Sequence, residues 1–182
     1  MSEIKSTLDI VLEKTKHLTL SEDEKRAQKK KESRKNLAGL LQKYQDRILD
    51  IDQLKDELNA LKQFYDFFDT RALVSEILNR IQLNNDNTSF MVILDDLCQA
   101  DSEGLKAVLS DYHKTLRLRR DQRSNQIIEK LSRDYLISGS AVLPNLAVDD
   151  EWAADLQTID TDYNRLLSRE KDALLKGWNT QM

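Results

Sequence analysis

The residues able to do chemistry in this chain are few and scattered. Two histidines, His17 and His113, and a single cysteine, Cys98, are the only imidazole and thiol ligands the chain can offer a metal. A structural zinc site needs four such donors at short spacings, and no such set exists. The residues three before the histidines are Lys14 and Ser110, so the Glu-x-x-His pairs that hold metals inside helical bundles are missing too. No metal and no cofactor is expected. Gly39, Gly104, Gly139 and Gly177 stand alone, which leaves no glycine-rich phosphate loop and no nucleophile elbow around any serine. Acids do adjoin at Asp95/Asp96 and at Asp149/Asp150/Glu151. Neighbours on a helix diverge by about 100°, however, and cannot share a proton as a catalytic dyad does. They read as helix caps or solvated faces. Cys98 closes the apolar run "ILDDLC" beside acids rather than cations, which suits a small buried hydrophobe better than a reactive thiol. The chain is expected not to be an enzyme.

Positive charge is the louder signal. Lys25, Arg26, Lys29, Lys30, Lys31, Arg34 and Lys35 crowd one stretch, with only Glu32 among them. Contact with single-stranded nucleic acid would call for interleaved aromatic platforms, and the stretch has none. A solvated helical face is the favoured reading. A phosphate-contacting or ribosome-associated surface is the alternative, and a protein partner with an acidic face is a third, the chain's own "DDEWAAD" included. A second cluster is Arg117, Arg119, Arg120 and Arg123, of which Arg120 and Arg123 fall where apolar residues of a helical stripe are expected. Either carboxylates across the bundle pair with it, as a buried polar layer requires, or the arm is exposed there. The second reading is preferred slightly.

Amphipathic helices must carry these residues. Ile4, Leu8, Val11 and Leu12 recur at helical spacing in the first segment. Ser21 and Glu24 form a capping-box pattern that opens a second helix, whose apolar stripe begins only at Leu37 and continues through Leu41, Tyr44, Ile48 and Ile51. The spacing then slips, and Leu54, Leu58, Leu61, Tyr65 and Phe68 continue the stripe. That slip marks either a coiled-coil stammer or a break recapped by Asp50 or Asp52. A shorter helix follows Asp69 or Thr70, with Leu73, Ile77, Leu78 and Ile81 on one side. "LNNDNTS" is a loop, Thr88 or Ser89 caps the apolar helix "FMVILDDLC", and a long arm starting at Asp101 or Ser102 stripes Leu105, Leu109, Tyr112, Leu116, Ile127, Leu131 and Tyr135. Gly139 and Pro144 break it within a loop that is itself apolar, carrying Val142, Leu143, Leu146 and Val148. The last helix starts near Asp149 or Asp150 and is expected to end at Gly177.

The expected architecture is all-α: an elongated helical bundle with antiparallel coiled-coil-like arms. It is one unit over residues 1–182, subdivided into arms at 1–83 and 88–137, a crossover loop at 138–148 and a helix at 149–178. One proline in 182 residues agrees with that class. The lone cysteine and the lack of a secretory leader pattern or a long apolar run point to the cytoplasm, with no membrane partner. The stretches "IKSTLDIVLEKTKHLTLS" and "GSAVLPNL" resemble short, all-helical bacterial proteins of unknown function, a resemblance that implies a bacterial, cytosolic, helical protein and assigns no activity. The expected function is protein–protein interaction, as a scaffold or adaptor. Homodimerisation through Leu8, Val11, Leu12, Val142, Leu143 and Leu146 is the most economical way to cover the apolar stripes and loop.

Overall fold

The computed structural model describes residues 21–65 and 70–178. The early stripe with Leu8, Val11 and Leu12, together with His17, Phe68 and Asp69, lies outside the described residues. Those described are helical without a strand among them: α1 (Glu22–Gln45), α2 (Ile51–Phe64), α3 (Thr70–Arg80), α4 (Thr88–Val92), α5 (Glu103–Tyr135) and α6 (Asp150–Trp178). The chain divides into two compact units, Met1–Asp69 and Thr70–Met182. The helix at 70–80, grouped with the first arm in the sequence reading, therefore belongs to the second unit.

In the first unit, α1 and α2 form a helical hairpin. Ser21 opens α1 with the expected capping box, its side chain accepting from the Glu24 N–H while Glu24 accepts from the Ser21 N–H. The slip in the apolar stripe proves to be a chain reversal. Arg47 adopts a left-handed conformation (φ 58°), and the N–H groups of Ile48 and Arg47 reach back to the carbonyls of Lys43 and Tyr44. That pair of bonds closes a helix C-terminus. Asp50 then caps α2 reciprocally with Gln53. The apolar faces of the two helices, Leu37 and Leu41 on α1 and Leu54, Leu58 and Leu61 on α2, are buried. Asn36 donates to the Tyr65 hydroxyl at 3.2 Å, tying the end of α2 to the middle of α1. Since α1 has 24 residues and α2 has 14, the first half of α1 runs past its partner.

The second unit has its core at one end of a long hairpin. There α3 buries Leu73, Val74, Ile77 and Leu78, and the short helix α4 buries Phe90 and Met91. A π-helical turn, Ile93–Leu97, extends α4 directly and buries Ile93 and Leu94. An exposed Gln99 at φ 51° stops it. The strongly apolar sequence sets the burial, whereas the π turn has no signature in the residues. Asn87 closes the preceding loop from within, donating to the carbonyls of Gln82 and Asn85 and accepting from the Gln82 N–H. Onto this core α5 and α6 bring Leu105, Leu109, Tyr112, Ile159 and Leu167. They run antiparallel, since Gly104 faces Glu170, Tyr112 meets Asp160 and Arg123 meets Asp149. The helix expected to end at Gly177 continues through it to Trp178. At the far end, α5 stops before Gly139, at a left-handed Leu136 (φ 56°), and residues 137–149 return along it as an extended strap containing one turn of 3-10 helix, Leu146–Val148.

Candidate functional site

Between α5 and α6 lies a polar seam that the sequence did not announce. The Tyr112 ring is fully buried, and its hydroxyl lies 2.5 Å from Asn84 Oδ1 and 2.8 Å from Asp160 Oδ1. A phenol has one proton to give. With the Asn84 amide turned so that its NH2 faces the ring oxygen, Tyr112 donates to Asp160 and accepts from Asn84. Burial, followed by the adjoining Asp160 carboxylate, pushes the phenol up to about 12, so it holds its proton at neutral pH. One turn along, the Tyr163 hydroxyl bridges Thr115 Oγ1 at 2.8 Å and Asp111 Oδ2 at 3.1 Å. The two tyrosine rings meet edge to face, 5.5 Å apart. The sequence placed Tyr112 on an apolar stripe correctly, but the partners of its hydroxyl, like those of Tyr163, depend on helix pairing and could not be read from the residues.

Next to this seam a groove of about 760 Å³ opens between the two helices and the strap. Its walls are Leu116, Ile128, Leu143, Leu146, Trp152 and Leu156, with Arg120 beside it and Asp160 at its polar end. A smaller groove, about 360 Å³, lies between the strap and α5 and is lined by Ile127, Leu131, Tyr135 and Val148.

Arg123 pins the root of the strap. Its Nε and Nη2 each donate at 2.8 Å to one oxygen of Asp149, and Nη1 reaches Glu151. Asp149 also accepts from the Trp152 N–H at 2.7 Å, capping α6. Hydrogen bonds from Arg123 and from that N–H hold the Asp149 carboxyl below the usual carboxylate range. Of the clustered arginines, Arg123 thus has the facing carboxylates a polar layer requires, with only 16% of its side chain exposed. Arg117, Arg119 and Arg120 are exposed, in line with the preferred reading. An equivalent knot at the core end joins Asp95 to Ser102 Oγ and to Lys106 Nζ at 2.8 Å. Burial opposes ionisation of Asp95, but the bonds from Lys106 and Ser102 outweigh it and keep its carboxyl low. Cys98 is buried and His113 is exposed against the Tyr112 ring. Among the described residues no three His, Cys, Asp or Glu side chains stand together as a metal would need.

The two surfaces singled out from sequence are both present to solvent. Lys25, Arg26, Lys29, Lys30, Lys31, Arg34 and Lys35 are all exposed on α1. Lys25 pairs with Glu22 at 2.8 Å, and the other six make no ion pair among the described residues. They sit on the first unit, while Arg117, Arg120 and Arg123 sit on the second. Of the apolar crossover, Val142 and Leu146 are half-buried against the hairpin, and Leu143 is 87% exposed. It is not alone. Tyr135, Leu136 and Ile137 at the end of α5 and Val148 in the strap are exposed as well, Leu136 at 89%. The spacing places Tyr135 on the apolar stripe of the long arm and gives Leu136 and Ile137 no role. Among the described residues no helix is long and apolar enough to cross a membrane. No protein-family model, curated protein or solved structure matches this chain.

Proposed function

We propose that this chain is a non-enzymatic interaction protein that works in the cytoplasm as a self-associating helical module, with the apolar tip of its second unit as the contact surface. The observation that carries this reading is the concentration of Tyr135, Leu136, Ile137, Leu143 and Val148 in exposed positions around the strap. Fully burying one such aliphatic side chain is worth about 1.5–3 kcal/mol, and clustered apolar exposure of this kind marks interaction sites on soluble proteins. Leu136 adds a second argument. A left-handed conformation costs a non-glycine residue roughly 1–2 kcal/mol, and here it holds a leucine side chain out into water rather than into the core. A symmetric contact of tip against tip uses one patch twice and closes at two copies.

Sedimentation equilibrium across the micromolar range, in about 1 M salt to screen charge pairing, tests the proposal. A dimer that becomes monomeric on Leu136→Asp/Leu143→Asp, with helicity unchanged by circular dichroism, supports it. A wild-type chain that stays monomeric throughout that range contradicts it.

A further inference from the structure

The first half of α1 is the strongest unexplained feature of the molecule. Residues 25–35 hold seven cations and one acid, a net charge of +6 in a chain of net −4, so the remaining residues carry −10. Helical spacing puts Arg26, Lys30 and Arg34 on the face that, further along α1, buries Leu37 and Leu41. The same side of the helix is thus core where α2 covers it and a cationic ladder where α2 has ended. Every residue from Glu22 to Glu32 is exposed.

The opposite charge is concentrated just as sharply. Residues 149–162 contain six acids and neither lysine nor arginine. Asp149 and Asp160 are engaged within the unit by Arg123 and Tyr112. Glu151, Asp155 and Asp162, spaced four and seven apart, form an exposed stripe on one side of α6. Asp155 has no ion pair among the described residues, Asp162 has only an exposed neighbour, Arg165, at 3.2 Å, and Glu151 keeps a side chain 76% exposed while touching Arg123. At 1.5 Å per residue the cationic ladder is about 12 Å long and the acidic stripe about 16 Å, so two straight helices can match them side by side.

We infer that the basic half of α1 docks on the acidic stripe of α6 in a second copy of this chain. Charge complementarity selects that occupant: a polyphosphate would have to approach a body carrying −10, whereas a second copy presents the matching ladder and reduces its own excess charge. Because two different surfaces meet, the contact is made either twice about a two-fold axis, closing at two copies, or head to tail, propagating into rings or open chains. The inference rests on self-association but not on the apolar tip.

The test is therefore made in the Leu136→Asp/Leu143→Asp background, by sedimentation velocity at about 0.1 M and about 1 M salt, between which the Debye length falls from roughly 10 Å to 3 Å. The expected result is oligomers at low salt that dissociate at high salt. Lys30→Glu/Arg34→Glu and Asp155→Lys/Asp162→Lys, made separately, should each weaken that association about tenfold, since exposed pairs contribute up to ~1 kcal/mol apiece. Mixing the two variants should restore it, because the reversed arm of one then faces the reversed stripe of the other. A monomer at both salts, as an arm pairing within its own chain would also give, overturns the inference, and so does association indifferent to both reversals. Fluorescence anisotropy with labelled duplex DNA and with RNA completes the experiment. Tight binding at about 0.15 M salt, lost in Lys30→Glu/Arg34→Glu and without salt-sensitive oligomers, would assign the arm to nucleic acid instead.

Discussion

Along α5 one helical stripe passes through two different environments. Leu105, Leu109 and Tyr112 are covered completely or nearly so, whereas Ile127 and Leu131 are half-covered and Tyr135 is 65% exposed. The residues are similar and the spacing continues, so the helix itself does not make the difference. What differs is the number of surrounding elements. At the core end α3, α4 with its π turn, and α6 all supply apolar side chains, while at the tip α6 has not yet begun and only the strap runs beside α5. Periodicity tells which side of a helix seeks cover. It does not tell whether the chain provides enough of it.

The largest test of this contrast removes matched methyl groups from the two ends. Leu105→Ala, at a site 1% exposed, is expected to cost about 2–5 kcal/mol in urea unfolding, and Leu131→Ala, half-exposed beside the strap, under about 1 kcal/mol. Equal costs would mean that the tip is packed like the core. Next comes the polar seam at the boundary between the two environments. Tyr112→Phe leaves Asp160 and Asn84 without their shared partner, and a loss of about 1–2 kcal/mol is expected.

Alkali probes the same hydroxyl. Burial and the Asp160 carboxylate push its pKa from the ordinary phenol value of 10.0 up to about 12, so the folded state holds the proton more tightly. The stability it contributes is complete below pH 10 and is lost as pH rises through about 12. Wild type should therefore lose more stability over that window than Tyr112→Phe, as followed by denaturant midpoints at each pH.

A smaller effect is expected at the root of the strap. Arg123→Met removes the partner of Asp149 and should lower the denaturant midpoint only slightly, well short of what breaking a fully buried ion pair would do, because both groups retain some contact with water. Asp149 has a lowered pKa in the folded state. Its contribution is present above the unfolded carboxylate pKa and is lost as pH falls through the folded one, so Arg123→Met should flatten the acid limb of the stability profile. Smallest of all, Leu143→Ser should change monomer stability by less than about 0.5 kcal/mol. A large loss there would show that the exposed leucine supports the fold.

Much of this organisation is legible in the residues. The all-helical class, the capping box at Ser21, the core stripes of α2, α3 and the first half of α5, and a loop after Leu83 follow from spacing and cap chemistry. That loop ends at Asn87, however, and α4 already begins at Thr88, where a cap was expected at Thr88 or Ser89. Three things do not. The helix ends at Arg47, Gln99 and Leu136 use left-handed residues that are neither glycine nor asparagine, so the usual stop signal is missing at each. The extra residue of the π turn is accommodated by tertiary packing and leaves no pattern. Arg123 and Asp149 are 26 positions apart, and only the antiparallel register of α5 and α6 makes one the partner of the other. For the surfaces, sequence located the charge and the apolar loop correctly, but exposure of Tyr135, Leu136 and Ile137 depends on where α6 begins.

The central claim, that the tip is an interface between copies while the core end is complete within one chain, is tested most directly by amide hydrogen exchange at low and high micromolar concentration. Protection in residues 127–148 should rise with concentration while protection in residues 105–112 stays constant, and Leu136→Asp/Leu143→Asp should abolish the rise. Protection at the tip that is independent of concentration, in a chain whose core end is fully protected, would contradict it.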